Sequence, residues 1–225
     1  MKERTVRPAV GVFLLLTFLL ISMISIPASA ASATAAKAGL QKENGKYYYY
    51  VKGVKIRSKW KTVKAGSGSY RYYFGKNGAA YAAPVPDKDT YNIKVYKIGK
   101  NKYGFDTDGR MVTGLQLCQK LDSNGKTKAV SLYYFNSKGV FKDAKTKKIR
   151  KLLKQGMKSG SFINDLKKLA GKPVKVKRFK DTCNAPDGND NEWRDVSIYY
   201  GGFEIIAVYH VTTGEYYVDF YWPCN

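Results

Sequence analysis

Asn101-Lys102-Tyr103-Gly104-Phe105-Asp106-Thr107-Asp108-Gly109-Arg110-Met111-Val112-Thr113-Gly114 carries the motif around which much of this chain is organised: an aromatic triplet, three intervening residues and a glycine. The same motif stands on either side of it. Tyr72-Tyr73-Phe74 precedes Gly78, and Tyr133-Tyr134-Phe135 precedes Gly139, always with three residues between Phe and Gly. A shorter relative, Tyr47-Tyr48-Tyr49-Tyr50 before Gly53, opens the series. The glycines recur every 25 to 31 residues, the period expected of small units that bury their aromatic faces by stacking on one another. The aromatic runs are β-prone, and Lys76-Asn77-Gly78 and Thr107-Asp108-Gly109 tolerate positive φ. Each unit is therefore expected to be a two-stranded hairpin turning at that glycine. An isolated hairpin is marginal in water, so the units must stack. Pro84-Val85-Pro86 and Asp87-Lys88-Asp89 interrupt the pattern between the second and third units and predict a bend or a linker.

Side chains alternate along a strand, so Tyr72 and Phe74 share one face and Tyr73 takes the other. Two uses compete for these rings. They form the core of stacked hairpins, or they offer faces on which a sugar ring packs with a hydroxyl in reach. The candidate ligand-binding residues are Trp60, Tyr72, Tyr73, Phe74, Tyr103, Phe105, Tyr133, Tyr134 and Phe135. Which face is used stays open.

From Thr146 the pattern changes to helical spacing. Ile149, Leu152 and Leu153 predict one amphipathic helix closed by Gly156. Ser161 is placed to cap a second helix over 162–170, which carries Phe162, Ile163, Leu166 and Leu169 on one face and ends at Gly171 and Pro173. Four β segments follow, at 174–179, 196–200, 203–211 and 215–221, with turns at Gly201-Gly202 and Thr213-Gly214. The expected fold is mainly β: an N-terminal β-solenoid-like stack of hairpins, then a small α+β domain with two helices and a four-stranded antiparallel sheet.

The ends suggest a route. Lys2, Arg4 and Arg7, an apolar stretch over 9–26 and Ala28-Ser29-Ala30 form a secretory signal-peptide pattern, with an N-terminal membrane anchor as the competing reading. The expected organisation is a signal peptide at 1–30, a leader at 31–38, repeats at 39–145 and the α+β domain at 146–225. The mature chain is then expected to be extracellular, without a membrane span. The whole sequence carries a formal net charge of +23, and residues 31–145 hold 23 Lys and Arg against 7 Asp and Glu. Such a field draws polyanions, whereas a solvated surface is its plainer use. The cysteines are Cys118, Cys183 and Cys224, for which Cys183–Cys224 is the expected disulfide because both lie in the C-terminal region.

The third unit resembles the cell-wall-binding repeat of Gram-positive surface proteins, shared by choline-binding and glucan-binding modules: an aromatic pair, polar residues, Gly, a residue such as Met111, and then Gly-Trp. The resemblance covers roughly residues 39–144. It implies hairpins stacked into a β-solenoid, ligands held against aromatic walls, and a surface-attachment or glycan-binding role. Gly114-Leu115 replaces Gly-Trp here, which weakens a choline cage, since Trp is the best ring for a quaternary ammonium. The C-terminal helix-Gly-x-Pro-strand pattern is similar to the two-helix, four-strand fold of β-lactamase-inhibitor-like proteins, which implies protein contacts.

Catalysis finds little support in these residues. Asp181, Asp187, Asp190, Glu192 and Asp195 cluster in a polar loop, and His210 lies mid-strand. No cofactor and no metal site is expected. Lysines interleaved with tyrosines also suit nucleic acid, but secretion points elsewhere. The expectation is a non-enzymatic, secreted, cell-wall-associated protein that binds cell-wall polysaccharide or teichoic acid through its repeats. The alternative is an effector whose C-terminal domain engages a protein partner while the repeats serve as anchor.

Overall fold

A computed structural model of the chain describes residues 36–85, 92–124 and 126–223. The expected signal peptide, most of the leader, the segment 86–91 and Cys224 lie outside these residues. The described chain opens with a three-stranded antiparallel sheet of β1 Gly39–Glu43, β2 Lys46–Val51 and β3 Val54–Lys55. Asn44 and Gly45 in its first turn have φ of 48° and 74°. Two consecutive positive φ values give the turn whose twist matches the strands it joins. Three two-stranded hairpins follow: β4 Lys59–Ala65 with β5 Gly68–Phe74, β6 Lys94–Ile98 with β7 Asn101–Phe105, and β8 Gly114–Leu121 with β9 Thr127–Phe135.

Each aromatic triplet closes the second strand of its hairpin instead of leading into the hairpin turn. Ala65 faces Gly68 and Ile98 faces Asn101, so the hairpin turns lie upstream of the triplets. The motif glycine makes a second, tighter turn. Gly78, Gly109 and Gly139 donate their N–H to the carbonyls of Gly75, Asp106 and Asn136 at 2.9, 3.1 and 2.8 Å. The chain then doubles back, and Ala80, Met111 and Phe141 bridge to Phe74, Phe105 and Phe135. The same three residues reach the preceding unit: Ala80 donates to the Tyr47 carbonyl, Met111 to Arg71 and Phe141 to Lys102, at 2.8, 2.7 and 2.9 Å. Gly139 has φ of 76°, and a Cβ there would collide with Met111 Sδ of the unit before it. The repeated glycine is thus both the turn and the close approach between units.

These links do not make the expected solenoid. The strands divide into separate small antiparallel sheets joined by isolated bridges. After each tight turn the chain makes only isolated bridges, such as Ala80 to Phe74 and Ala79 to Tyr48, so no continuous sheet grows along the array. The proline segment does not part the second and third units: Met111 bonds to Arg71 across it, and Trp60 packs on Tyr103.

The rest of the chain is α1 Asp143–Leu152, β10 Gly156–Lys158, α2 Phe162–Ala170, β11 Lys175–Arg178, β12 Trp193–Tyr200, β13 Phe203–His210 and β14 Tyr216–Pro223. The sheet has five strands in the order β10-β14-β13-β12-β11, one more than the four expected. The additional strand, Gly-Met-Lys, is too short to show alternation, yet Gly156 pairs with Val218 and Lys158 with Tyr216. Ser161 does occupy the cap position of α2, but its hydroxyl donates to Asp165 Oδ2 at 2.7 Å and caps no backbone N–H. Thr146 is buried in α1, and its Oγ1 accepts the Tyr134 N–H at 3.0 Å, which pins the helix to β9.

One aliphatic core runs beneath both helices. It joins Ile149 and Leu153 of the α1 segment, Phe162 and Leu166 of α2 and Val196, Ile198, Ile205 and Val218 of the sheet to Leu115, Leu117 and Leu132 of the last hairpin. Leu115 is 3% exposed. The position where the resemblance leads one to expect Trp is therefore core, and each such buried side chain contributes roughly 1.5–3 kcal/mol.

The expected Cys183–Cys224 bridge is not found: Cys183 is a free, exposed thiol, and Cys224 lies outside the described residues.

Candidate functional site

Six rings gather where the second and third units meet. Trp60 of β4 lies 5.2 Å from Tyr73, 4.9 Å from Tyr103 and 5.9 Å from Phe105, measured between centroids. Tyr81 continues the cluster at 5.1 Å from Tyr73 and stacks on Tyr96 at 4.4 Å with an interplanar angle of 18°. Beside this pair opens a groove of about 520 Å³, lined by Tyr81, Tyr96, Asn77, Thr107, Lys46 and Lys94. The run Ala79-Ala80-Tyr81-Ala82-Ala83 creates it, because small side chains on both sides of Tyr81 leave the space a larger residue would fill. Tyr96 is fixed by donating its hydroxyl to the Ala82 carbonyl at 2.6 Å, and burial pushes its pKa above the usual tyrosine value.

Cations already sit on many of the neighbouring ring faces. The Arg71 guanidinium lies 4.3 Å from the Trp60 ring, Arg110 4.3 Å from Tyr70, Lys145 4.1 Å from Tyr134 and Arg150 4.8 Å from Tyr133. These contacts use up the electron-rich faces that a quaternary ammonium would need. What the array shows outward is positive charge held on aromatic platforms.

The expected site residues separate by burial. Tyr72, Phe74, Phe105 and Phe135 are 2%, 0%, 0% and 0% exposed and form the core of the units. Trp60, Tyr73 and Tyr103 are half-buried and belong to the six-ring cluster; Tyr133 and Tyr134 are half-buried beneath Arg150 and Lys145. Tyr81 and Tyr96 were not among the expected residues. Tyr81 had a signal in the sequence, an isolated tyrosine within a run of alanines, whereas Tyr96 in Lys94-Val95-Tyr96 had none.

Asp106 stands below the groove in the tight turn of the third unit, where its Oδ1 accepts the Arg110 N–H at 2.8 Å. Burial, the largest influence, pushes its carboxyl up to about 6. Asn136 fills the equivalent place in the fourth unit and accepts the Val140 N–H at 2.9 Å without a charge. In the C-terminal body, the polar loop is held by its own side chains. Trp193 Nε1 donates to Asp187 Oδ1 at 3.0 Å, and His210 accepts the N–H groups of Thr212 and Thr213 on Nδ1 while Nε2 faces Glu192 at 3.1 Å. Those bonds assign His210 to closing the turn before β14.

Comparison with known proteins gives no close relative. No protein-family model matches the chain, and no curated protein does. Among solved structures, a truncated alternansucrase from Leuconostoc mesenteroides is similar at 18% identity with a TM-score of 0.20. That similarity takes in 48% of this chain and 10% of the alternansucrase chain, so about half of this chain corresponds to about a tenth of that protein's length. No helix among the described residues is long and apolar enough to cross a membrane.

Proposed function

We propose that this chain is a secreted, non-catalytic surface protein that holds a cell-wall polymer, glycan or teichoic acid, along its aromatic hairpin units. The observation that carries this is the groove beside the stacked Tyr81–Tyr96 pair, with an amide from Asn77, a hydroxyl from Thr107 and the ammonium groups of Lys46 and Lys94 around it. Ring faces take the apolar face of a sugar, and polar groups on the rim take its hydroxyls. The lysines and the cation-covered rings favour a polymer that carries negative charge. They disfavour choline as the recognised group.

The engagement of His210 and Asp187 in local bonds supports a structural use for the residues that a hydrolase would need free. The test is sedimentation of the full mature chain with purified Gram-positive walls, before and after teichoic acid extraction, at low and high salt. Tyr81→Ala with Tyr96→Phe is expected to lower retention at high salt at least about fivefold, since stacking on an aromatic ring is worth on the order of 1 kcal/mol or more. Retention that ignores these variants and disappears with salt alone would leave only nonspecific attraction.

A further inference from the structure

A second cavity, of about 600 Å³, lies on the other side of the last hairpin, between β9, the C-terminal turn of α1 and β14. Ser131 and Leu132, then Arg150, Lys151 and Lys154, and finally Asp219 line it, with Leu153 and Gln155 completing the wall. Leu132 and Leu153 are buried and give it an apolar floor. Three cations face one carboxylate, Asp219, and among the described residues none of Arg150, Lys151 and Lys154 enters a close ion pair. Arg150 is also held in place. Its Nε donates to the Leu132 carbonyl at 2.8 Å while the guanidinium lies over Tyr133, so its terminal nitrogens are set in orientation before any ligand arrives.

From this arrangement we infer that the cavity is a binding site for a phosphorylated polyol or sugar unit, separate from the aromatic groove. A tetrahedral oxyanion suits the fixed guanidinium flanked by two ammonium groups. The volume exceeds what phosphate alone fills, and the remaining lining suits a hydroxylated body: the Ser131 hydroxyl, the Gln155 amide and the Asp219 carboxylate, which accepts hydrogen bonds from vicinal hydroxyls. The unit is the chemical repeat of a polyol-phosphate polymer, so the inference deepens the wall-polymer assignment and rests on it for the choice of polymer.

The test is calorimetric titration of the full mature chain at low ionic strength with glycerol 3-phosphate, inorganic phosphate and glycerol as separate probes. Glycerol 3-phosphate is expected to bind at least about tenfold more tightly than inorganic phosphate, and glycerol not at all. Lys151→Gln with Lys154→Gln, both on the exposed surface, is expected to weaken it about tenfold or more while thermal melting stays unchanged, since charge-assisted bonds outweigh neutral ones. Asp219→Asn is expected to narrow the preference for glycerol 3-phosphate over inorganic phosphate, because it removes a hydroxyl acceptor while relieving repulsion of both anions alike. Equal affinity for both anions, or binding indifferent to the lysine pair, overturns the site. The wall sedimentation reads the groove and this titration reads the cavity, so either can fail while the other stands.

Discussion

The hairpin units and the C-terminal body solve the same burial problem in different ways. In the units, much of the hydrophobic contact runs between neighbours: Phe105 meets Trp60 of the unit before it, and Phe135 fills the space that a Cβ on Gly104 would occupy. In the C-terminal body two helices close one aliphatic core over a five-stranded sheet. The first solution leaves rings such as Trp60, Tyr73, Tyr103 and Tyr133 half-buried at the surface, where the proposed binding would use them. The second hides its apolar groups, and its polar loop is consumed by its own bonds. The hairpin of β8 and β9 serves both, since Leu115, Leu117 and Leu132 enter the aliphatic core while Cys118 and Phe135 join a small cluster with Ile93 and Val112.

That double membership is the feature most easily broken. Phe135→Ala is expected to cost about 3–5 kcal/mol and to lower the stability of both regions together in urea unfolding followed by tyrosine fluorescence and helical circular dichroism. Phe74→Ala, an equally buried ring farther up the array, is expected to cost a similar amount but to leave the helical signal's midpoint in place. Coincident shifts for both variants would mean the two regions fold as one cooperative unit.

A smaller and reversible difference comes from pH. The Asp106 carboxyl has its folded pKa raised to about 6, so the folded state binds its proton more tightly than the unfolded chain does. Its contribution is fullest below the unfolded value near 4 and is lost as pH rises through about 6, an effect of about 2–3 kcal/mol. The units are expected to melt higher at pH 5 than at pH 7.5. Asp106→Asn, which copies Asn136 of the next unit, is expected to remove that dependence while keeping the turn. A slope that persists in Asp106→Asn would assign it to another group.

Backbone strain gives a further, milder contrast. Gly109→Ala places a side chain at φ of 77° and 3.2 Å from the Tyr81 carbonyl, and is expected to cost about 1–2 kcal/mol. Gly188→Ala, also at positive φ but with open space around it, should cost less. The smallest expected effect is chemical. Burial pushes the Cys118 thiol up to about 12, so maleimide should label exposed Cys183 promptly and leave Cys118 unmodified in the native protein. Rapid label on Cys118 itself, located by peptide mapping, would show that its buried site opens to reagent.

Much of this molecule was legible in its residues. The repeated triplet and glycine identified the units, because a glycine three residues past an aromatic run signals a turn wherever it stands. Helical spacing and Gly171-Lys172-Pro173 bounded α2 at Phe162–Ala170. The position of the hairpin turns was misplaced by half a unit, since a tight turn with a single bridge and a turn between long strands use the same Asn-Gly chemistry. The candidate site was legible only in part: the tyrosines of the triplets announce themselves by repetition, whereas Tyr96 joins the candidate site solely through its 4.4 Å stacking on Tyr81.

Sequence by itself determined the units, the alternation that puts Tyr72 and Phe74 on one face, the two helices and the excess of positive charge, because these depend on local backbone preference and composition. Tertiary structure alone decided which rings are core and which stay at the surface, and it supplied the fifth strand. It also brought Arg150, Lys154 and Asp219 around one cavity. Those outcomes depend on which residues distant in the chain come to share a volume, and local spacing carries no record of that.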